Sequence, residues 1–387
     1  MRIGLVSTWG QRCGIATYSE QLAQALHKGG VEVVPFTPIE MGTTRSVVGF
    51  SPVGCWVRDD PGAGNAKGLV DAAKGAKVDL LHFQHEFGLF RNALGFLQTL
   101  KAIRASGFPC IVTLHTVPLF GHFLQRGGWL TKLRQYTDAI VVHTPASAAS
   151  VSVAPGKSPV HLIPHGTPEE RPGDAARGFK VLGLDTPDIG PLGLVFGFIG
   201  NSKNIVATVL AFGDGLTRGW IRGNAMLCIV GDSGGDTIYV ERALKPAIDA
   251  TGWNMNIRLI EKFVALEEVP HMLAAAAFGV LNTTSWSLSA SGQVHAYAAH
   301  GVPIAVADRP IYTEAVHAGA IPFTVGAAAD QPTLDMIVAI AALARDQQLR
   351  ATIRATMVKY AMETGWTRLV PRYVALYKGV ANAPTAD

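Results

Sequence analysis

The sequence predicts an α/β protein made of two doubly wound domains, each a parallel β-sheet with helices on both faces. Short apolar runs alternate with longer helix-type stretches through nearly all of the 387 residues, a pattern typical of parallel sheets. One break rich in Pro, Gly and charge interrupts the series near the middle. With 48% hydrophobic residues, the chain is able to bury two cores.

The first series of elements predicts a domain covering residues 1–168. Its predicted strands are residues 2–7, 31–36, 80–84, 110–115, 139–143 and 160–163. Residues 14–28 and 93–104 are predicted as helices between these strands.

The break begins near Pro164 and includes HGTPEERPGD, whose prolines and glycines favour neither a helix nor a strand. Residues 169–192 are therefore interpreted as a linker, and residues 193–364 as a second domain. Its predicted strands are residues 194–199, 225–230, 256–260, 278–282 and 303–307. Helices are expected to begin near Lys203, Thr237, Glu267 and Ser291.

The C-terminal segment, residues 365–387, contains GWTRLVPRYVALYKG, in which aromatic residues recur at helical spacing despite Pro371. Two interpretations stay open at this stage. The segment forms either a terminal helix on the surface of its own domain or a helix that crosses back to the first domain.

Composition narrows the class of protein. Lys and Arg exceed Asp and Glu by 33 − 29 = 4, an excess compatible with anionic ligands but too small for a nucleic-acid-binding protein. The N-terminus lacks the features of a signal peptide, and the longest apolar run, residues 272–281, is too short to span a bilayer. The four cysteines show no CxxC spacing. We expect a soluble cytoplasmic protein, and the basic excess leaves open a peripheral position at the inner membrane face.

Parallel sheets bind ligands at the carboxyl ends of their strands, so the loops there are the candidate sites. The first strand leads into TWGQRCGIATYSEQL, with Gly14 directly before an amphipathic helix. Free N–H groups and the positive end of the helix dipole favour an anion at this point. The GxGxxG fingerprint is absent, which disfavours a dehydrogenase.

Histidines end two further strands of the first domain. His85 and Glu86 follow one strand and His115 the next. Neither HExxH spacing nor a DxD-type carboxylate pair at a strand end is present, so we expect no metal site. His115 is predicted to hydrogen-bond a sugar hydroxyl or a phosphate, with a packed core histidine as the alternative.

The second domain offers a cation and further helix N-termini. VFGFIGNSKN places Gly197 at a strand end and Lys203 at the next helix, where an ammonium group would stabilise a leaving diphosphate. Further on, SWSLSASGQVHAYAAHG allows Ser291 to cap a helix while the amides near Gly292 and Gln293 face a phosphate. An exposed lysine without a role is the alternative for Lys203.

In order along the chain, these motifs resemble those of the retaining glycosyltransferases of family 4, which have the GT-B fold of two Rossmann-like domains facing across a cleft. The resemblance covers almost the whole sequence. It is carried by GQRCGIATYSEQLAQAL, VDLLHFQHEFGLF, CIVTLHTV, TDAIVVHTPAS, VHLIPHGTPE, FGFIGNSKNIVATVLAF, MLCIVGDSGGD and residues 257–314.

The resemblance implies roles for individual residues. Lys203 and His115 would be the catalytic residues, with Lys203 neutralising the leaving phosphate and His115 contacting the donor sugar. His85 and Glu86 would lie on the acceptor side. The donor-binding residues would be Gly14, Gly197, Lys262, Phe263, Ser289, Ser291, Gly292 and Gln293, with the base near Lys262 and Phe263.

The implied reaction is transfer of a hexose from a nucleotide-diphosphate sugar, of UDP or GDP type, to a glycan or lipid-linked acceptor. Transfer would retain the anomeric configuration and need no metal or other cofactor. The resemblance also implies a role in polysaccharide biosynthesis.

Two departures from the family pattern leave alternatives open. The family's glutamate pair would fall at Leu288 and Ala296, and its phosphate-binding arginine at Phe198. The favoured interpretation is an active, diverged enzyme in which the serine-rich loop, Gln293 and His295 replace the lost contacts. The alternatives are an inactive GT-B module that binds a nucleotide or a partner protein, and another GT-B enzyme such as an epimerase or an inverting transferase.

Overall fold

The computed structural model describes residues 1–42, 46–117, 128–169, 172–184, 189–234, 236–326, 328 and 330–382. The chain divides into two compact units. The first unit comprises the described residues of Met1–Gly166, Ser287–Gly292 and Thr364–Asp387, and the second those of Thr167–Trp286 and Gln293–Glu363. Each unit contains a parallel sheet with flanking helices, which confirms the predicted fold class.

The strands in chain order are β1 (Arg2–Val6), β2 (Glu32–Pro38), β3 (Val53–Trp56), β4 (Leu80–His85), β5 (Cys110–Leu114), β6 (Thr116–Val117), β7 (Ala139–Val142), β8 (Val160–Leu162), β9 (Leu192–Phe196), β10 (Met226–Gly231), β11 (Ile257–Glu261), β12 (Phe278–Leu281), β13 (Leu288–Ser289), β14 (Ile304–Ala307) and β15 (Ile321–Phe323).

The α-helices are α1 (Gly14–Lys28), α2 (Gly64–Ala76), α3 (Ala93–Ala105), α4 (Trp129–Tyr136), α5 (Pro145–Ser152), α6 (Ala175–Val181), α7 (Ile205–Thr217), α8 (Thr237–Tyr239), α9 (Lys245–Thr251), α10 (Val269–Ala275), α11 (Gly292–Ala299), α12 (Thr313–His317), α13 (Leu334–Arg345), α14 (Gln347–Thr364) and α15 (Trp366–Ala381). A π-helical turn, Val240–Leu244, joins α8 to α9, and short 3₁₀ turns occupy Asn201–Lys203 and Pro310–Tyr312. None of the described helices has both the length and the apolar character needed to cross a bilayer.

The sheet of the first unit has the order β3-β2-β1-β4-β5-β7-β8 among the described residues, with every pairing parallel. Side chains of a strand point alternately to opposite faces, and successive residues such as Ile111 and Val112 therefore join different cores. One core lies under α2, α3 and α4. The other lies under α1 and α15.

The sheet of the second unit has the order β11-β10-β9-β12-β14-β15 in the described part of the chain, again with parallel pairings. Its order reverses between β9 and β12, because β10 and β11 lie on one side of β9 and the later strands on the other. A crevice at such a switch point, beyond the carboxyl ends of the strands, is the usual ligand site of this architecture.

The predicted linker over residues 169–192 is wrong for its middle part. There α6 packs closely against α10, and a Cβ atom added to Gly178 would lie 2.0 Å from the backbone oxygen of His271. Asp174 caps α6 by accepting hydrogen bonds from the amides of Ala176 and Arg177. Residues 175–181 therefore belong to the second unit.

Two later segments belong to the first unit. Helix α15 packs against α1 and buries an aromatic face that includes Trp366, Tyr373 and Tyr377, so of the two interpretations the structure shows the helix on the first unit. Strand β13 pairs antiparallel with β6, which places Ser287–Gly292 there as well. The predicted second domain, residues 193–364, had included that loop.

Candidate functional site

The second unit contains a recess beyond the carboxyl ends of β9, β10 and β12, which we call the Lys203 recess. Apolar side chains of the three strands form much of its wall, and two amides, one hydroxyl and one ammonium group are its polar side-chain groups. It is lined by Val195, Phe196, Gly197, Phe198, Ile199, Lys203, Ile205, Thr208, Ile229, Val230, Val280, Leu281, Asn282 and Gln293. A mainly apolar pocket with a few polar groups is the usual form of a small-molecule site.

Gly197 is required where β9 enters the recess. Its φ of +116° lies in a region that favours glycine, and a Cβ atom added there would lie 2.6 Å from Nε2 of Gln293. The neighbouring strand β10 is closer still, because a Cβ atom added to Gly231 would lie 1.6 Å from the Gly197 oxygen. The absence of side chains thus lets Gln293 approach the end of β9.

Lys203 ends the 3₁₀ turn Asn201–Lys203, and only Asn204 separates it from α7. Its Nζ donates a hydrogen bond to Oε1 of Gln293 at 3.0 Å. Burial lowers the pKa of Lys203 below its ordinary value, since a desolvated ammonium group is costly. An anion placed beside this group would offset that cost.

Gln293 fixes its own amide orientation through two different partners. Its Nε2 donates to the carbonyl oxygen of Phe196, a group that only accepts, while its Oε1 accepts from Lys203. Gly197, Lys203 and Gln293, predicted from separate motifs, therefore come together in one recess.

His295 does not share this position. It is buried, and its Nδ1 lies 2.8 Å from the Thr167 hydroxyl. On its other side the Tyr360 hydroxyl lies 3.4 Å from Nε2 and donates to Glu314 at 3.1 Å. His295 thus belongs to a buried polar chain and does not line the Lys203 recess.

Lys262 and Phe263 follow β11, the edge strand of the second sheet. The Lys262 ammonium donates to the carbonyl oxygen of Val181, the last residue of α6, at 2.8 Å. Phe263 is 38% exposed. Neither residue lines the Lys203 recess, so the predicted contact with a base would occur outside it.

In the first unit, the loop after β1 leaves the start of α1 accessible. The Gly10 amide donates to the buried Glu20 carboxylate at 2.9 Å, which anchors the loop to α1. Cys13 provides no side-chain cap, and Gly14 is exposed with open space around its Cα. An anion could approach the first-turn amides of α1 here, and the anion site itself stays a prediction.

His115 follows β5 and is 7% exposed. Its Nε2 donates to Oε1 of Gln84 at 3.0 Å, and its ring lies 4.6 Å from that of Tyr18. Burial, together with the neighbouring imidazole of His143, lowers the pKa of His115 well below its ordinary value. The side chain is therefore a neutral hydrogen-bonding group in the folded protein.

A buried hydrogen-bond network that the sequence interpretation missed lies behind His115. Gln84 Nε2 lies 3.2 Å from Nε2 of His82 and must donate, so His82 carries its proton on Nδ1 and donates to the Tyr377 hydroxyl at 2.9 Å. The Thr113 hydroxyl also reaches His82 Nε2, at 2.7 Å. The only available sequence signal was a polar side chain at alternate positions of β4.

The acceptor-side role predicted for His85 is not supported. Its ring has no exposed surface and stacks on Phe90 with 5.6 Å between centroids. Phe96 and Trp129 pack on it as well, at 4.6 and 5.2 Å. Burial lowers the pKa of His85 to about 3. The alternation along β4 explains this, since His85 and Gln84 point to opposite faces.

Glu86 is half-buried, and its carboxylate accepts from the Phe87 amide at 3.1 Å. Burial raises its pKa, while hydrogen bonds from the Thr116 side chain and from the amides of Phe87 and Gly88 act in the opposite direction. Its predicted place on the acceptor side stays a prediction.

The serine-rich loop belongs to the first unit, whereas the prediction had placed it in the second. Ser289 lies in β13 and Ser291 follows it, and both are buried. Gly292 is exposed at the first position of α11, and a Cβ atom added there would lie 3.7 Å from Nε2 of His165. Within the described ranges, no group of three or more His, Cys, Asp or Glu side chains is arranged to hold a metal ion.

Comparison with known proteins gives a family match over part of the chain. The sequence profile of Glycosyltransferase Family 4 matches residues 13–171. No curated protein sequence matches the chain.

Several solved structures have the same fold over nearly the whole chain. HepE from Anabaena, in complex with UDP and glucose, is 16% identical with a TM-score of 0.75, covering 98% of this chain and 100% of that chain. Sucrose-phosphate synthase from Thermosynechococcus elongatus is 16% identical with a TM-score of 0.67, covering 98% of both chains. WaaG, a glycosyltransferase involved in lipopolysaccharide biosynthesis, is 12% identical with a TM-score of 0.66, covering 97% of this chain and 100% of that chain.

The profile match, the two parallel-sheet units and these likenesses agree with one another. The chain is identified as a glycosyltransferase of the GT-B fold, with the family 4 sequence signature in residues 13–171.

Proposed function

We propose that this protein transfers a hexose from a nucleotide-diphosphate sugar to a glycan or lipid-linked acceptor, with retention of anomeric configuration and without a divalent metal. The observation that supports this best is the Lys203 recess, where Lys203 and Gln293 meet at the end of β9. HepE was solved with UDP and with UDP-glucose, which supports a nucleotide sugar as the donor.

Lys203 supplies the charge stabilisation in this proposal. The anomeric C–O bond to the phosphate breaks, and the acceptor oxygen forms its bond to the anomeric carbon on the same face. The departing phosphate oxygen takes the acceptor proton, while the Lys203 ammonium stabilises the charge developing on the diphosphate. A diphosphate would replace Gln293 as the partner of Lys203 and restore the ammonium pKa that burial lowers.

Replacing Lys203 by Ala tests this role. We expect Lys203→Ala to reduce turnover by more than about a hundredfold, the scale of losing one preorganised group that stabilises transition-state charge. The measurement is product formation with UDP-glucose and with GDP-mannose as donors. Lys245→Ala, which removes an exposed lysine of the same unit, is the control. Unchanged turnover in Lys203→Ala would refute the proposed mechanism.

The remaining features have separate tests. Activity should survive an excess of a chelator, because no step uses a divalent ion, and loss of activity would contradict metal independence. Proton NMR of the first product formed reports the anomeric configuration, and inversion would contradict retention. Comparison of UDP-glucose with GDP-mannose identifies the nucleotide.

A second candidate function rests on the apolar residues at the positions of the family's glutamate pair, Leu288 and Ala296. Under this proposal, the protein is an inactive module that binds a nucleotide or a partner protein. Thermal unfolding with each nucleotide sugar separates the two, since a ligand at a hundred times its dissociation constant adds about 2.7 kcal/mol of stability. Stabilisation without turnover or hydrolysis would favour the binding module.

A further inference from the structure

Asn282 lines the Lys203 recess, although the sequence did not predict it as a site residue. It directly follows β12, the strand beside β9, and is 5% exposed. Asn282 and Thr283 tie their loop to the turn that carries Lys203, because Thr283 donates to the Ser202 oxygen at 2.9 Å. The Asn282 side chain is thus held on the same wall as the ammonium group.

The orientation of the Asn282 amide follows from the one hydrogen bond that its side chain makes among the described residues. Nδ2 lies 3.2 Å from the carbonyl oxygen of Asn204. A backbone carbonyl only accepts, so the nitrogen must face Asn204 and Oδ1 must point elsewhere. Reversing the amide would place two oxygens against each other.

Oδ1 of Asn282 has no hydrogen-bond partner within the part of the chain that the structure describes. Buried polar atoms are nearly always paired, and an unpaired acceptor is destabilising. Since Asn282 lines the recess, a molecule bound there is in a position to provide the missing donor.

The other polar groups of the recess define what such a molecule must carry. Lys203 favours an anion, whereas Oδ1 of Asn282 favours an O–H or N–H donor and would repel a second phosphate oxygen. A nucleotide-diphosphate sugar has both features, with phosphates for Lys203 and hydroxyls on its hexose and ribose for Asn282.

We propose that Oδ1 of Asn282 accepts a hydrogen bond from a hydroxyl group of the bound nucleotide sugar, which makes Asn282 a residue that determines donor specificity. This inference rests on the proposed function for the identity of the ligand. Asn282 would thus be a second residue of the recess, besides Lys203, that recognises the donor.

Calorimetric binding to the full chain tests the inference. The variants are wild type, Asn282→Ala and, as a matched control, Asn254→Ala, which removes an exposed amide of the same unit. The ligands are UDP-glucose and GDP-mannose, their monodeoxy-hexose analogues, and the corresponding 2′-deoxy and 3′-deoxy ribose compounds. The hexose and ribose series show which sugar carries the contacted hydroxyl.

We expect Asn282→Ala to weaken binding of the preferred intact nucleotide sugar roughly 10- to 100-fold. For the one analogue that lacks the contacted hydroxyl, wild type and Asn282→Ala should bind alike. Asn254→Ala should match wild type throughout. This pattern cannot arise from a merely structural role, which would weaken every ligand by a similar factor.

Three results would overturn the inference. Equal loss for all analogues means that Asn282 only supports the Lys203 turn through Asn204. Unchanged binding in Asn282→Ala means that solvent satisfies Oδ1. If wild type binds neither nucleotide sugar, both this inference and the proposed function are wrong.

The two proposals fail separately in other cases. If Lys203→Ala loses turnover while Asn282→Ala binds normally, only the inference fails. If binding depends on Asn282 as expected but wild type shows no transfer, the proposed function is wrong and the role of Asn282 in binding the nucleotide sugar is retained.

Discussion

At the scale of single residues, the polar groups of the second unit form a short chain with defined directions. Lys203 donates to Gln293, and Gln293 donates to the Phe196 oxygen. The glutamine therefore holds the ammonium group at a fixed position relative to the end of β9. A lysine held by a neutral amide keeps its charge available, whereas a carboxylate partner would neutralise it. The recess is therefore suited to an anion before any ligand arrives.

His115 is the residue of the first unit for which a functional test is most direct. Replacing it by Ala removes a neutral hydrogen-bonding ring beside Tyr18 and Gln84. If His115 contacts the donor sugar, kcat/KM for the nucleotide sugar should fall roughly 10- to 100-fold, the cost of losing one hydrogen bond to a polar group. The dissociation constant of the free nucleoside diphosphate, measured by calorimetry, should stay unchanged.

The control for His115→Ala is His27→Ala, because His27 is an exposed histidine near the end of α1. If His115→Ala weakens nucleoside diphosphate binding as much as it lowers kcat/KM, the histidine supports the structure only.

The sequence predicted some site residues and missed others for identifiable reasons. Gly197 and Lys203 stand out because a glycine and a cation at a strand-to-helix turn are typical of anion sites. An asparagine after a strand is common, so Asn282 gave no signal until its amide contacts were known. The burial of His85 was not predicted, because it depends on aromatic residues from α3 and α4 that pack on β4.

At the scale of elements, close contact between two helices explains why the segment that forms α6 was not predicted as a helix. The bounds of α1 were predicted correctly, since its apolar face is continuous. The segment that forms α6 looked like a linker because Pro, Gly and charge usually indicate a loop. Its glycines instead allow α6 to approach α10, and Arg177 pairs with Glu268 across that contact.

Gly178 provides a test of that contact. A Cβ atom on Gly178 would lie 2.0 Å from the His271 backbone oxygen, so Gly178→Ala must move α6 away from α10. We expect a loss of about 1–3 kcal/mol in the free energy of unfolding, the usual effect of overpacking. Urea denaturation of the full chain, followed by circular dichroism, measures it.

Gly75→Ala is the matched control, because Gly75 lies in α2 and a Cβ atom there meets no other atom within 4 Å. This change should be neutral or stabilising by up to about 1 kcal/mol. A Gly178→Ala protein as stable as wild type would show that α6 does not depend on close packing.

At the scale of the whole molecule, the alternation of strands and helices sufficed to predict two parallel-sheet units, because each strand reads as a buried apolar run. It did not predict that α15 and β13 belong to the first unit. Those assignments depend on contacts over long sequence separations, such as the 2.8 Å hydrogen bond between the hydroxyls of Tyr18 and Tyr373. No local pattern contains that information.

Buried histidines make the stability of the protein dependent on pH. Burial lowers the pKa of His82 and His85 to about 3 and that of His143 to about 4. In the unfolded chain a histidine has a pKa of about 6.5. Between these values the unfolded state binds more protons than the folded state. The contribution of these histidines to stability is therefore fully present above about pH 6.5 and decreases as the pH falls below that value.

His85→Phe isolates one of these contributions. A buried neutral histidine loses about 1.4 kcal/mol of stabilisation per pH unit below 6.5, or about 2 kcal/mol by pH 5. Phe should fit among Phe90, Phe96 and Trp129, and it does not titrate. We therefore expect the drop in unfolding free energy between pH 7.5 and pH 5 to be about 2 kcal/mol smaller in His85→Phe than in wild type.

Urea denaturation at both pH values measures this difference, with His27→Gln as the control at an exposed histidine. An identical drop in wild type and His85→Phe would show that His85 is not held neutral in the folded protein.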